Sequence, residues 1–148
     1  INSAGVYKSG EINKVDEWDW RRQLDVNLTG TFFCSQLISR VMADDGGGVI
    51  LNFAHSAHSL DSGVGYIASK GGVVAMTKQF ARELAPKNIR VNVISVGDIT
   101  DNDIPTSSQN MMGHVGTPED VANVALFLLS DSARFITGAS INVDGGMG

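Results

Sequence analysis

The sequence predicts an α/β fold built on a parallel sheet, and two observations lead to that class. Strand-like and helix-like segments alternate along the 148 residues, an order typical of parallel strands joined by crossover helices. One strand-like segment, 49–54, is a short apolar run without alternation, and 89–96 is a second β-rich run. A run like 49–54 is typical of a strand covered on both faces, so we expect helices on both sides of the sheet.

The first third of the chain is predicted to contain the end of a strand and one long helix. Residues 1–2 are interpreted as the strand end, which runs into a turn at 3–5. A helix is predicted to begin near Asp16, because acidic residues stabilise a helix N-terminus, and to end near Asp44, before a run of glycines. Its apolar positions recur at helical spacing: Trp20, Leu24, Leu28, Phe32 and Leu37.

The rest of the chain is predicted to contain two further helices and a last strand. One helix carries Tyr66 and Lys70 and ends before Pro86, because proline cannot continue a helix. The next helix is predicted to begin at Thr117, since threonine is a good N-cap and is followed by a proline and two acids. Residues 139–143 are predicted to form the last strand.

Composition and charge favour a globular protein that acts on small molecules. The chain has 43% hydrophobic and 18% charged residues, as ordinary globular domains do. Its net charge is −5 and its 11 Lys and Arg residues are scattered, which argues against a nucleic-acid surface. The apolar runs are too short to cross a bilayer, and the N-terminus lacks a signal-peptide pattern. We therefore expect a cytoplasmic protein that binds neither nucleic acid nor a membrane.

The single cysteine, Cys34, gives a further expectation. One cysteine excludes a disulfide within the chain and fits a reducing compartment. Because Cys34 lies beside Phe32 and Phe33 in an apolar helical stretch, we expect a buried structural thiol rather than a nucleophile.

Tyr66 and Lys70 are the first candidate chemical groups. They are four residues apart in a predicted helix, so they share one face. A phenol has a pKa of about 10 in water and is a poor acid or base at neutral pH. A nearby ammonium favours the phenolate and lowers the phenol pKa, which suits the pair to moving a proton to or from an alcohol. From the spacing alone, a half-exposed aromatic residue and a surface lysine are the ordinary alternative.

Six sequence blocks favour the chemical role of Tyr66 and Lys70 over the ordinary alternative. The block around the pair is Tyr66-Ile67-Ala68-Ser69-Lys70-Gly71-Gly72-Val73. The others are Asn2-Ser3-Ala4-Gly5, Asp25-Val26-Asn27-Leu28-Thr29-Gly30, Ile89-Arg90-Val91-Asn92-Val93-Ile94, Gly116-Thr117-Pro118-Glu119-Asp120-Val121-Ala122, and Phe135-Ile136-Thr137-Gly138 with Val143-Asp144-Gly145-Gly146. In order and spacing they resemble the short-chain dehydrogenase/reductase family over nearly the whole chain. The resemblance implies a Rossmann-like, doubly wound parallel sheet, of which residues 1–148 form the second half, from the fourth strand to the C-terminus. We expect the chain to be a fragment lacking the N-terminal strand–helix units.

The resemblance also implies a role for each matching residue. Tyr66 is expected to donate a proton in reduction and accept one in oxidation, while Lys70 holds the ribose hydroxyls of the nicotinamide half of the cofactor. Asn27 is expected to help hold a water that links the lysine to solvent; an asparagine on a solvated helix face is the alternative. The remaining residues implied in cofactor binding are Asn2, Ala4, Gly5, Val96, Gly97, Ile99 and Thr100.

The chain departs from the family at the position of the catalytic serine. The family has that serine three residues after an asparagine at a strand end. Here the third residue after Asn52 is His55, and Ser56 follows it. Ser56 fills the role if the strand end bulges by one residue, and otherwise His55 can donate the hydrogen bond to the substrate oxygen. A site that lacks this donor loses about 10²–10³ in rate. His55 and His58 without a third ligand do not make a convincing metal site, so no metal is expected.

The cofactor end shows three further departures. Val96 stands where the family usually has proline, and Thr100 comes one position early, so that Asp101 takes the place of the family's threonine. The glycine-rich phosphate turn and the residue that separates NAD from NADP are absent from the sequence. The sequence therefore does not distinguish NAD from NADP as the cofactor.

The sequence as a whole predicts an NAD- or NADP-dependent oxidoreductase that interconverts a secondary alcohol and a ketone. The loop 98–116 is polar and turn-rich, and its part 101–113 is expected to form a lid over the substrate. A sugar, a polyol, a 3-oxoacyl thioester and a steroid all stay open as substrates. The resemblance implies a homotetramer or homodimer built partly on the helices from Asp16 and from Tyr66. The alternative function is a non-catalytic relative that keeps the fold for binding or regulation, with His55 in the serine position.

Overall fold

The structure is a computed structural model that describes residues 1–56, 63–101 and 110–147. Its strands are β1 (Gly48–His55), β2 (Ile89–Val96) and β3 (Ser140–Val143). Its main helices are α1 (Glu17–Leu24), α2 (Gly30–Asp44), α3 (Val64–Leu84) and α4 (Pro118–Leu129). A π-helical segment, Asp25–Thr29, joins α1 to α2, and short 3₁₀ turns lie at Ile12–Lys14, Ala85–Lys87 and Asp131–Ala133. The predicted α/β class is confirmed.

The three strands form one parallel sheet in the order β1-β2-β3. β1 and β2 pair along their full length, ending with His55 opposite Val96. Asn2 extends the sheet on the other side of β1 as a parallel neighbour. Its amide donates to the Leu51 carbonyl at 2.8 Å, and the Phe53 amide donates to its carbonyl at 3.2 Å. The strand end predicted at residues 1–2 therefore lies beside β1.

Helices cover both faces of the sheet. On one face α4 packs its Leu128 over Ile94 of β2. On the other face α3 packs over β1 and β2, with Val73 against Val93. This burial on both sides explains why the start of β1, residues 49–51, is an apolar run without alternation. In the described part of the chain no helix is both long and apolar enough to cross a membrane.

The π-helical segment makes α1 and α2 one continuous helix. The amide of Gly30 donates to the carbonyl of Asp25, five residues back, which adds one residue to that turn. The buried face of the joined helix is polar: Gln23, Asn27, Thr31, Ser35 and Ser39. These positions recur every four residues, so they form one continuous row along the helix.

Two expectations for this helix are wrong. Leu37 is 60% exposed, because it is two residues from both Ser35 and Ser39 and therefore lies on the opposite side of the helix. Cys34 is exposed rather than buried, since the inward positions around it are taken by the row of small polar side chains. The single cysteine is thus an accessible thiol.

Thr117 caps α4 as predicted. Its hydroxyl accepts a hydrogen bond from the Asp120 amide, while the Asp120 carboxylate accepts from the Thr117 amide at 2.8 Å. This reciprocal pair is a capping box, which satisfies two amides at the helix N-terminus. The Thr117 amide and hydroxyl both donate to the Asp120 carboxylate, and these two bonds lower the pKa of Asp120.

The predicted loop 98–116 is closed at its base. Ile99 and Gly116 form a parallel bridge, with the Thr100 amide donating to the Gly116 carbonyl at 3.0 Å. Residues 102–109, most of the expected lid 101–113, lie outside the described residues, and so does His58.

Candidate active site

Tyr66 and Lys70 lie on the first turns of α3, beside the carboxyl end of β1. Lys70 is 6% exposed, and its ammonium donates a 3.1 Å hydrogen bond to the carbonyl of Phe53. Its Nζ lies 5.8 Å from the centre of the Tyr66 ring. An ammonium has three donors, so the bond to Phe53 fixes its position with one of them.

Burial shifts the pKa of both groups. It lowers the pKa of Lys70 and raises that of Tyr66, which the phenol of Tyr7 raises further. The sequence predicts a Tyr66 pKa lowered by Lys70, and the structure has the opposite direction. The reason is that the cost of desolvating the phenolate dominates, and the Tyr7 phenol adds to it. Tyr66 is therefore a protonated phenol at neutral pH.

Two further rings flank Tyr66. Tyr7 meets it edge-on, with ring centroids 5.2 Å apart and planes at 90°. His55 lies 5.4 Å away with planes at 61°. The Tyr66 phenol is thus held in an aromatic cluster formed by the loop after Asn2, the end of β1 and the start of α3.

Asn27 holds the loop that carries Tyr7. Its side-chain oxygen accepts from the Val6 amide at 2.7 Å, and its side-chain nitrogen donates to the Val6 carbonyl at 2.9 Å and to Ser69 Oγ at 3.0 Å. Asn27 is 0% exposed, so an asparagine on a solvated helix face is excluded. It lies in the π-helical segment, the kind of widened turn often found at functional sites.

The turn that contains Asn2, Ala4 and Gly5 runs past Lys70. Ala4 and Gly5 are exposed, and a Cβ on Gly5 would stand 3.5 Å from Lys70 Nζ and 3.4 Å from Asn27 Oδ1. The Asn2 side chain instead bonds within the chain, donating to Asn52 Oδ1 at 2.8 Å. Of these three predicted cofactor residues, Ala4 and Gly5 leave open backbone next to the lysine, and Asn2 braces the sheet.

His55 and Ser56 lie on opposite sides of the end of β1. The His55 ring contacts Tyr66, while the Ser56 hydroxyl donates a 2.7 Å hydrogen bond to Asp144 Oδ2. The Ser56 amide donates to the Val96 carbonyl at 3.0 Å, so the backbone pairing of β1 with β2 continues past His55.

The residues after β2 are placed next to the turn that follows β3. The Gly97 amide donates to the Val143 carbonyl at 2.9 Å. A Cβ at Gly97 would lie 2.7 Å from the Cα of Asp144, so the glycine is required by packing. The Val96 carbonyl is bonded to Ser56, and the Thr100 amide is bonded across the base of the loop. Several backbone groups expected to contact a cofactor therefore already form hydrogen bonds within the chain.

A cavity of about 610 Å³ is separate from this cluster. It lies between residues 110–116 and the turn after β3, with Asp98, Met111, Val124 and Asp144 in its wall. Neither Tyr66 nor Lys70 lines it. The titratable groups with shifted pKa values, His55, Tyr66 and Lys70, meet instead at the Tyr66 cluster, and such groups often mark a functional site. No group of three or more metal-ligating side chains occurs within 1–56, 63–101 and 110–147.

Sequence reasoning missed four residues that shape the site. Tyr7 touches the reactive ring, Gln23 accepts the Lys8 amide at 3.0 Å, and Ser69 bonds Asn27. Asp144 holds Ser56. The regular four-residue spacing of small polar side chains, from Gln23 onward, is the signal that could have revealed the polar face.

Fold and site together define a class: a doubly wound α/β protein whose polar site lies outside the carboxyl ends of parallel strands. The whole chain, residues 1–148, matches the family described as enoyl-(acyl carrier protein) reductase. The chain belongs to the short-chain dehydrogenase/reductase family.

Three known proteins show what the chain is similar to. It is 40% identical to a 3α-hydroxysteroid dehydrogenase of Mediterraneibacter gnavus, over 98% of the chain and 62% of that protein. It is 35% identical to an inactive 2-(S)-hydroxypropyl-CoM dehydrogenase 2 of Xanthobacter autotrophicus, over 99% of the chain and 71% of that protein. The crystal structure of a 3-oxoacyl-[acyl-carrier protein] reductase of Brucella melitensis with bound NAD superposes with a TM-score of 0.90 at 32% identity, over 98% of the chain and 60% of that structure. The chain thus spans about three fifths of the length of two of these proteins.

Proposed function

We propose that this protein is an NAD- or NADP-dependent oxidoreductase that interconverts a secondary alcohol and a ketone. The observation that carries the proposal is the cluster at the start of α3, where the Tyr66 phenol, the buried Lys70 ammonium and the His55 imidazole meet beside the end of β1. Membership of the family and the names of the relatives support the same type of reaction.

The residues around Lys70 fit the nicotinamide end of such a cofactor. Gly5 is exposed and lacks a side chain, whose Cβ would stand 3.5 Å from the ammonium, which leaves room for sugar hydroxyls. In this proposal Lys70 donates hydrogen bonds to the ribose hydroxyls, and the exposed backbone of Ala4 and Gly5 contacts the cofactor beside it. A bound nicotinamide supplies the exchange of hydride, and the chain supplies position and a proton.

Tyr66 moves the proton. In ketone reduction its Oη–H bond breaks, the proton goes to the carbonyl oxygen, and the ammonium of Lys70 stabilises the phenolate that is left. In alcohol oxidation the phenolate takes the hydroxyl proton. A phenol has an ordinary pKa of about 10, and burial raises that of Tyr66 further, so the proton-donating form that ketone reduction requires predominates at neutral pH.

We also propose that the protein acts in the cytoplasm as an assembly of identical copies. Phe33, Leu37 and Val41 are 53%, 60% and 53% exposed, and their four-residue spacing puts them on one face of α2. We infer that a second copy covers this apolar face, in a homodimer or homotetramer. Sedimentation of the protein and of its Leu37→Glu variant tests this, and a monomeric wild-type protein would contradict it.

An assay of the purified protein tests the reaction. NADH and NADPH oxidation is followed with cyclohexanone, dihydroxyacetone and ethyl acetoacetate, which represent ring, polyol and acyl substrates. We expect one ketone to be reduced, and Tyr66→Phe to lose the activity while keeping its fold by circular dichroism. Binding of NADH or NADPH without turnover of any ketone or secondary alcohol would contradict the proposal.

A non-catalytic binding or regulatory protein is the second candidate. It is favoured by His55 in the serine position and by the similarity to a relative named inactive. The same assay separates the two candidates, because a binding protein retains cofactor affinity with no turnover and gives the same result for Tyr66→Phe as for wild type.

A further inference from the structure

We propose that His55 holds the substrate oxygen beside Tyr66 and that Ser56 takes no part in that contact. The inference rests on the proposed function and deepens it, because the sequence leaves the third catalytic group open between these two residues.

The direction of each side chain follows from its contacts. Leu51 and Phe53 of β1 pack with α4, so regular alternation along the strand would put His55 on the α4 face and Ser56 on the α3 face. The strand end has the reverse arrangement: the His55 ring lies against Tyr66 of α3, and the Ser56 hydroxyl is bonded to Asp144. Only His55 faces the Tyr66 ring.

The chemistry of His55 suits the contact. A neutral imidazole has one N–H donor and one acceptor nitrogen, as a serine hydroxyl has a donor hydrogen and acceptor lone pairs. A ketone oxygen needs the donor, and an alcohol hydroxyl can use the acceptor. The half-buried ring is 5.4 Å from the ring whose hydroxyl exchanges the proton, so one substrate oxygen can lie between the two groups.

Burial keeps His55 neutral. It lowers the imidazole pKa, the carboxylate of Asp98 after β2 raises it, the ammonium of Lys70 on α3 lowers it further, and a hydrogen bond to the Val96 backbone raises it. The net direction is below the ordinary value. At neutral pH the imidazole therefore places no second positive charge beside Lys70.

The Ser56 hydroxyl is already in use. It donates to Asp144 Oδ2 at 2.7 Å, and both residues are 8% exposed. A hydroxyl has one donor hydrogen, and a bond to a carboxylate is stronger than one to a neutral acceptor. Turning Ser56 toward a substrate would break that bond and the pairing of its amide with Val96.

Four single substitutions in the natural full-length protein test the assignment: His55→Ala, His55→Ser, Ser56→Ala and His114→Ala. His114 is an exposed histidine outside the cluster and serves as the matched control. The assay uses the ketone that the panel identifies. We expect kcat/KM to fall by about 100-fold in His55→Ala, and to be at least about tenfold higher in His55→Ser than in His55→Ala. In Ser56→Ala and His114→Ala we expect kcat/KM to change less than about threefold. The reverse order, with Ser56→Ala the most damaged and His55→Ala near wild type, overturns the assignment.

A binding measurement separates this inference from the proposed function. The imidazole nitrogen signals of His55 and His114 are followed by NMR while cyclohexanol and then cyclohexanone are added. We expect the His55 signals to shift and the His114 signals to stay, whether or not the protein turns the ligand over. Unshifted His55 signals overturn the inference even if Tyr66→Phe abolishes turnover and the proposed function stands. Shifted signals in a protein that turns over no ketone or alcohol support the His55 contact and contradict the proposed function.

Discussion

The hydroxyl of Ser56 donates a hydrogen bond to Asp144 across 88 residues of sequence. Asp144 follows β3, and its Oδ1 also accepts the amides of Gly146 and Met147 at 3.0 and 3.3 Å. The bond therefore ties the carboxyl end of β1 to the turn after β3, across the width of the sheet. It leaves His55 alone on the side of Tyr66.

Removing the Ser56 hydroxyl is expected to weaken the fold. Ser56→Ala deprives a buried carboxylate of one donor, which costs about 1–3 kcal/mol. Urea denaturation followed by circular dichroism measures the loss. Ser132→Ala, at an exposed serine, is the control and should leave the midpoint unchanged. Equal midpoints for the two variants would show that the bond to Asp144 contributes nothing.

Two glycines are expected to respond in opposite ways to alanine. At Gly97 the new Cβ would meet the Asp144 Cβ at 2.6 Å, and such overpacking costs about 1–3 kcal/mol. At Gly71 in α3 nothing lies within 4 Å of the new Cβ, so Gly71→Ala should stabilise the helix by about 0.5–1 kcal/mol. The free energies of unfolding of the two variants test the pair, and a stabilised Gly97→Ala would show that the turn after β3 moves freely.

Asn27→Ala is expected to release the loop that carries Tyr7. The substitution removes both side-chain bonds to Val6 and should raise the hydrogen-exchange rate of the Val6 amide by at least about tenfold, corresponding to about 1.4 kcal/mol. Asn13→Ala, at an exposed asparagine, is the matched control. Unchanged exchange at Val6 would mean that the loop is held by other contacts.

Tyr7→Phe is expected to lower the pKa of Tyr66. The phenol of Tyr7 is a secondary cause of the raised pKa, after burial, so its removal should bring the value part of the way back toward the ordinary one. The chain has 2 tyrosines, so within it the variant titrates as a single phenol in ultraviolet absorbance. A Tyr66 pKa that stays the same or rises would contradict the coupling of the two rings.

Alkaline pH is expected to destabilise the fold partly through Tyr66. A group whose pKa is raised by folding contributes stability that is present below its unfolded pKa, about 10 for a phenol, and is lost as pH rises through the folded pKa. The direction at Tyr66 is upward, so the free energy of unfolding should fall above about pH 10. Urea denaturation across this range should give a shallower fall for Tyr66→Phe. Parallel curves for the two proteins would contradict the raised pKa.

Local signals in the sequence predicted the elements well. The strand at 89–96 and the cap at Thr117 depend on nearest neighbours along the chain, and both agree with the structure. The polar inner face of α2 could not be predicted from apolar spacing, because Ser35 and Ser39 are buried by hydrogen bonding and close packing rather than by hydrophobicity. The expectation of a buried Cys34 failed for the same reason.

The candidate site was only partly predictable. Tyr66 and Lys70 come together through local helix geometry, and Asn27 was found through a recognisable motif. The choice between His55 and Ser56 depends on which side chain meets Tyr66 where the alternation of β1 ends, and the partner of Ser56 lies in the turn after β3. Both are long-range facts that no window of sequence contains.

The π-helical turn at Asp25–Thr29 also has a consequence for how this helix tolerates changes of length. One extra residue there turns everything that follows by about 100° relative to an unbroken α-helix. Deleting one residue other than Asn27 within 25–29 is therefore expected to restore a regular α-helix with Ser39 still facing the sheet. The same deletion in the regular part of α2 would rotate the residues that follow by about 100°. In engineering terms, this turn is the place where the helix should tolerate the loss of one residue.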